Sequence, residues 1–227
     1  RPPALHGPTL RQGQSLPRHT PPLFVGPHPL PSLPQYNAVL RALNSKVAFL
    51  QKQFTSLCCD AEAAQQFADG NIDFAQATAK ANLYTTTLHV INSGIVKTSK
   101  LTYACPVYRG VSGLALPPAF WTPNAHGVRG GIEGAFMSST KDRAVAMQYA
   151  ASGGRGIVFE IQQGMIDRGA DIGWLSQYPH EAEILFAPLT GLEVLSTRVE
   201  GTVLIVSANL SVNLNAQTME QVVAKRR

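Results

Sequence analysis

From Tyr36 onward apolar residues recur at helical spacing, through Val39, Leu40, Leu43, Val47 and Leu50, amid abundant alanine. That period predicts a helix. A second repeat runs through "NIDFAQATAKANLYTTTLHVINSG", residues 71–94, with Asn71 as its cap and Gly94 as its stop. Between the two, "DAEAAQQFADG" (residues 60–70) fits a short helix. Residues 35–100 thus read as a lobe of two or three helices. His89 falls on the apolar side of its predicted helix, where a core or boundary histidine is expected and a metal ligand is not.

From about residue 104 the pattern changes to short runs rich in Val, Ile, Leu and Phe, each bounded by Gly or Pro. "CPVYRGV", "GAFMSS", "GIVFEIQ", "AEILFAP", "LEVLSTRVEG" and "TVLIVSANLSV" all read as strands. One helix, "KDRAVAMQYAAS", interrupts them, and "LPPAFWTPNAHGVRGGIEG" before it reads as a loop with one helical turn. Helices followed by a mixed but mainly antiparallel sheet make an α+β fold and exclude a doubly wound parallel sheet. No internal repeat is visible. The expected organisation is an arm over residues 1–34 and one domain over residues 35–227, its helical lobe (35–100) leading into a sheet core (101–227).

Composition refines this picture at the N-terminus. Residues 1–34 hold ten of the 16 prolines and offer little to bury, so they read as a disordered or polyproline-like arm. A linker to a neighbouring module is its plain role, and docking to an SH3-type partner is the alternative. The net charge of +5 also collects there. Residues 1–59 contain no Asp or Glu, while Arg1, Arg11, Arg18, Arg41, Lys46 and Lys52 are all basic. The rest of the chain is almost neutral, and no Lys/Arg cluster with interleaved aromatics appears, which argues against a nucleic-acid partner. No apolar run of about eighteen residues exists to span a membrane. The chain starts at Arg1, which reads as a fragment or a processed product, and secreted and cytoplasmic locations both stay open. Cys58, Cys59 and Cys105 show no C-x-x-C or His/Cys ligand spacing. They read as reduced thiols, with a bridge from Cys105 to one of the pair as the alternative.

The P-loop, H-E-x-x-H and G-x-S-x-G motifs are absent, and "GVRGGIEG" follows no strand signal, so it reads as a turn and not as a dinucleotide fingerprint. Three places combine unusual chemistry with strand patterning. In "VYRGV", Arg109 interrupts an apolar strand, which is costly unless it meets an anion. A phosphate or carboxylate ligand and a structural salt bridge both satisfy it, and Gly110 beside it leaves room for close approach of a ligand. In "FMSST", Ser139 with Asp142 fits a capping box and Thr140 is an alternative cap, which leaves Ser138 to bond a carboxylate. In "PHEAEILF", Glu181 and Glu183 stand two apart and so share a face of the predicted strand. Paired carboxylates suit a division between acid/base and electrostatic work, and an exposed sheet edge is the plain alternative.

Arginine, then Ser-Ser-Thr, then Glu-x-Glu, each at a strand, resembles the R-S-E class of arginine-specific mono-ADP-ribosyltransferases and toxins. The resemblance covers roughly residues 104–213. It implies two small sheets around a cleft for NAD, used as a substrate, with no metal. Carried over, Arg109 holds the NAD phosphates and ribose, and the backbone of Arg109 and Gly110 grips the nicotinamide amide. Ser138 positions Glu183, which steadies the oxocarbenium-like ribose. Glu181 orients the acceptor arginine of a protein substrate and helps remove its proton. The stretch "GADIGWLSQYP" corresponds to the family's recognition loop, with Trp174 and Tyr178 as contacts to the protein substrate. The alternative for Trp174 is a core role beneath that loop. The family's usual serine motif is Ser-Thr-Ser; here it is Ser-Ser-Thr, and its first serine is kept as Ser138. Two other functions fit the same residues: an NAD glycohydrolase, with water as acceptor, and a non-catalytic module that binds NAD or a partner.

Overall fold

A computed structural model describes residues 33–43, 45–113, 116–152, 156–176, 178–212 and 216–225. The proline-rich arm and its SH3 alternative, except Leu33 and Pro34, lie outside the described residues. The apolar repeat starting at Tyr36 forms two helices, α1 (Leu33–Ala42) and α2 (Ala48–Cys58). Between them the Ser45 hydroxyl accepts the Val47 amide, a local bond that competes with helix continuation, and Val47 is left 55% exposed. Helix α3 (Ala61–Ala68) is capped by the Asp60 carboxylate, which accepts the Ala63 amide at 2.7 Å.

The expected helix over residues 71–94 is also two helices. Asp73 and Gln76 form a capping box at the start of α4 (Phe74–Ala79), so Asp73 and not Asn71 is the cap. Tyr84 then adopts a left-handed conformation (φ 49°) and α5 (Thr85–Thr98) begins. Gly94 lies inside α5 and does not end it; Leu88, Ile91 and Ile95 face the core while His89 is exposed. Ala38, Val39, Ala42, Phe54 and Cys58 form the helical core. All three cysteines are free thiols, and burial pushes that of Cys58 up to about 11.

The strands are β1 (Val107–Ser112), β2 (Gly130–Glu133), β3 (Met137–Thr140), β4 (Gly156–Gln162), β5 (Ala170–Asp171), β6 (Glu183–Phe186), β7 (Thr190–Glu200) and β8 (Val203–Ser211). Helices α6 (Pro118–Trp121), α7 (Arg143–Ala151) and α8 (Met219–Ala224) complete the described elements. The strand order is β2-β7-β8-β4-β1-β3-β6-β5, and every neighbouring pair is antiparallel except β4–β8. The class is α+β. Instead of two separate sheets there is one ladder in two halves. Strand β1 pairs with β4 from Val107 to Ser112, but with β3 only at Tyr108 and Thr140. Beyond that position β1 and β3 splay.

Two glycines let α7 lie directly on the sheet. A Cβ on Gly110 would meet the Ala146 carbonyl oxygen at 2.0 Å, and one on Gly156 would meet that of Ala150 at 2.1 Å. The space at Gly110 expected for a ligand is therefore filled on its Cβ side by helix backbone. The stretch expected to be a loop holds the one-turn α6 and also β2, which pairs along β7 from Gly130 to Glu133. Among the described residues no helix is long and apolar enough to cross a membrane.

Candidate active site

Where β1 and β3 part, they leave a cavity of ≈ 270 Å³ roofed by α7 and closed at one side by the turn before β6. Arg109, Gly110, Ser138, Glu181 and Glu183 all line it, with Tyr108, Thr140 and Tyr149. Residues far apart in sequence are brought together because β3 sits between β1 and β6 in the sheet.

The register of β3 on β6 sets Ser138 opposite Leu185 and Thr140 opposite Glu183. Ser138 and Glu183 are thus diagonal neighbours on one face. The Ser138 hydroxyl donates to Glu183 Oε1 at 2.6 Å. Ile184 and Phe186, on the opposite face of β6, are fully buried and anchor the strand.

Glu181 reaches the cavity by another route than strand alternation. Residues Pro179–Glu181 form a 3-10 turn, and Ala182 is left-handed at φ 46°, ψ 50°. A left-handed alanine costs roughly 1–2 kcal/mol. The turn is held by the Thr140 hydroxyl, which donates to the Glu181 carbonyl at 2.6 Å, and by the Lys141 amide, which donates to the Ala182 carbonyl at 3.2 Å. Thr140 also accepts the Asp142 amide, and Ser139 donates to the Ile184 carbonyl. Neither is the helix cap expected from sequence. Asp142 caps α7 by accepting the Ala144 amide.

Arg109 donates through Nη1 to the Ser138 carbonyl at 2.7 Å, bridging the gap that backbone pairing leaves open. Its carboxylate neighbour, Glu133, stands 4.0 Å away and is engaged by both Nε and Nη2 of Arg41, at 3.1 and 2.9 Å. Glu133 therefore compensates Arg109 only weakly. Burial lowers the Arg109 pKa from the ordinary arginine range, Glu133 opposes that shift and Arg41 adds to it. A guanidinium 24% exposed, with five donors, is well suited to an anion in the cavity.

Sequence reasoning did not single out Glu133 or Tyr149. Glu133 was hidden in a glycine-rich stretch. Tyr149 looked like an ordinary helical position, yet its hydroxyl donates to Glu181 Oε1 at 2.9 Å. Trp174 and Tyr178 do not line the cavity. Trp174 is 74% exposed on the turn after β5, its indole donating to the Asp171 carbonyl at 3.2 Å, so it does not fill the core. Tyr178 packs edge-on against His180. Among the described residues no group of three His, Cys, Asp or Glu is placed to hold a metal.

A family model described as NAD:arginine ADP-ribosyltransferase matches residues 62–213, which include every cavity residue named above. The chain belongs to this family. Similar solved structures include the ADP-ribosyltransferase HopU1 of Pseudomonas syringae pv. Tomato DC3000, at 23% identity over 57% of this chain and 55% of that one (TM-score 0.47). The Vis toxin of Vibrio splendidus is 18% identical over 81% and 69% (TM-score 0.42). Exoenzyme S of Pseudomonas aeruginosa, solved with human 14-3-3 protein beta and carba-NAD, is 15% identical over 85% and 96% (TM-score 0.37). This ADP-ribosyltransferase family member thus spans little more than half the length of HopU1. The comparison with curated proteins gave no match.

Proposed function

We propose that this ADP-ribosyltransferase family member cleaves the nicotinamide–ribose bond of NAD and transfers the ADP-ribose to an arginine side chain of a protein. The observation that carries the reading is the 2.6 Å bond from Ser138 to Glu183, in one cavity with Arg109 and Glu181. The residues fit NAD: a cation for its phosphates, a fixed carboxylate for its ribose, and a volume suited to one end of a dinucleotide.

As the glycosidic C–N bond breaks, its electron pair goes to the ring nitrogen and neutralises the pyridinium. Positive charge then grows on the ribose C1′ and ring oxygen. Glu183, held by Ser138 on one oxygen, faces that charge without reorganising. Arg109 retains the phosphates with donors that the Ser138 carbonyl does not take. The Arg109 and Gly110 backbone, unpaired with β3 at the splay, receives the nicotinamide amide. An acceptor guanidinium nitrogen then bonds to C1′ and gives up a proton to Glu181. The exposed Trp174 and half-exposed Tyr178 form the surface that meets the protein substrate.

Incubation with labelled NAD and agmatine, following labelled acceptor and free nicotinamide together, tests this. Glu183→Gln is expected to lower both products by about 10²–10³-fold. Glu181→Gln is expected to lower transfer far more than nicotinamide release. Nicotinamide release by the unaltered chain with no labelled acceptor points to a glycohydrolase, and equal losses on Glu181→Gln remove the arginine assignment.

A further inference from the structure

Tyr149 lines the cavity, but the chemistry above gives it no task. It stands on α7, 47% exposed, with its hydroxyl on Glu181 Oε1 at 2.9 Å. The backbone of Glu181 is fixed separately. Its carbonyl accepts from Thr140 and its amide donates to the Tyr178 carbonyl. Two elements therefore hold this residue at opposite ends, with β3 gripping the main chain and α7 the carboxylate.

We propose that Tyr149 is a positioning residue for the acceptor, setting the torsion of the Glu181 carboxylate so that it meets an incoming guanidinium in one orientation. This deepens, and rests on, the reading of the cavity as a transfer site. The chemistry suits a phenol. A carboxylate has about four lone-pair sites, so one tyrosine bond fixes its plane and leaves room for a planar, two-toothed guanidinium. Lysine or arginine in this place would compete with the acceptor as a rival cation, whereas a neutral hydroxyl does not. The bond to Glu181, then burial, then the charges of Glu181, Glu183 and Tyr178 push the Tyr149 phenol up from its ordinary range, so it keeps its proton and goes on donating at neutral pH. Sequence spacing conceals the pair, because 32 residues separate its members. The close seating of α7 on Gly110 and Gly156 helps bring them together.

The test is Tyr149→Phe in the full chain, which keeps the ring and removes one oxygen. With labelled NAD and agmatine in a single reaction, the ratio of transfer to nicotinamide release is expected to fall about fivefold. The loss should appear in the kinetic constants for agmatine and not in the KM for NAD. An unchanged ratio, or an equal fall in both products, overturns the proposal. Failure of the unaltered chain to form either product overturns the underlying site reading instead. A second measurement needs no turnover. The Tyr149 phenol, followed by NMR, is expected to ionise at lower pH in Glu181→Gln, and an unmoved titration overturns the contact on which the proposal stands.

Discussion

Oriented carboxylates need a donor that does not itself move, and for Glu183 that donor is Ser138, on a strand paired to its own. Ser138→Ala removes the bond and leaves the strand intact. Nicotinamide release is expected to fall about tenfold or more, since hydrogen bonds to charged groups contribute roughly 1.5–3 kcal/mol, with little change in thermal midpoint. Ser139→Ala is the contrasting control. Its buried hydroxyl serves the Ile184 carbonyl, so stability is expected to drop by about 1 kcal/mol while chemistry suffers less. Kinetics beside a melting curve separates the two. Ser138 and Glu183 were legible because each is a polar residue next to a buried apolar one in a strand, Met137 and Ile184. The turn at Glu181 was not, since an alanine gives no sign of a left-handed backbone. The period of two led to the right cavity for a wrong local reason.

Among the elements, α7 roofs the cavity that β1 and β3 flank, and a missing side chain permits its position. Gly110→Ala would drive a methyl group into a backbone carbonyl, which cannot rotate away. A loss of about 3 kcal/mol or more is expected in denaturant unfolding, and α7 must rise off β1, parting Tyr149 from Glu181. Elements with strong local signals were read correctly from the chain: α3 behind its Asp60 cap, and the apolar runs of β4 and β8. Strand β2 was missed because glycine carries little strand preference. Gly130 there sits at φ 144°, where a Cβ would meet the Leu192 carbonyl oxygen at 1.9 Å, so packing against β7 dictates the glycine. The breaks between α1 and α2 and between α4 and α5 fall at local features that the apolar period does not register, the Ser45–Val47 bond and the left-handed Tyr84.

Across the molecule, α1 ties the helices to the cavity end of the sheet. Asn37 accepts the Phe136 amide and donates to its carbonyl, at 3.0 and 3.1 Å, while Arg41 engages Glu133. Both clamps close on the segment that enters β3. Arg41→Ala is expected to destabilise the fold by about 1–2 kcal/mol, the pair being only partly buried, and to raise the KM for NAD severalfold as Glu133 turns to Arg109. Equilibrium unfolding and an NAD titration check the two effects. The succession of helices and then strands was plain in the sequence, as was the class. Strand order was not, since nothing in the local pattern records that β3 lies between β1 and β6.

The lone rung joining β1 to β3 has a mechanical meaning. A ladder fastened at a single place resists twisting there far less than one fastened along its length. The crevice width is then governed by side-chain ties, Arg109 to Ser138 across the seam itself and Thr140 to Glu181 from β3 to the turn before β6. Those ties belong to the residues proposed to handle the substrate. An occupant of the crevice that bonds to both strands is therefore expected to stiffen the sheet at the least paired joint among its described strands.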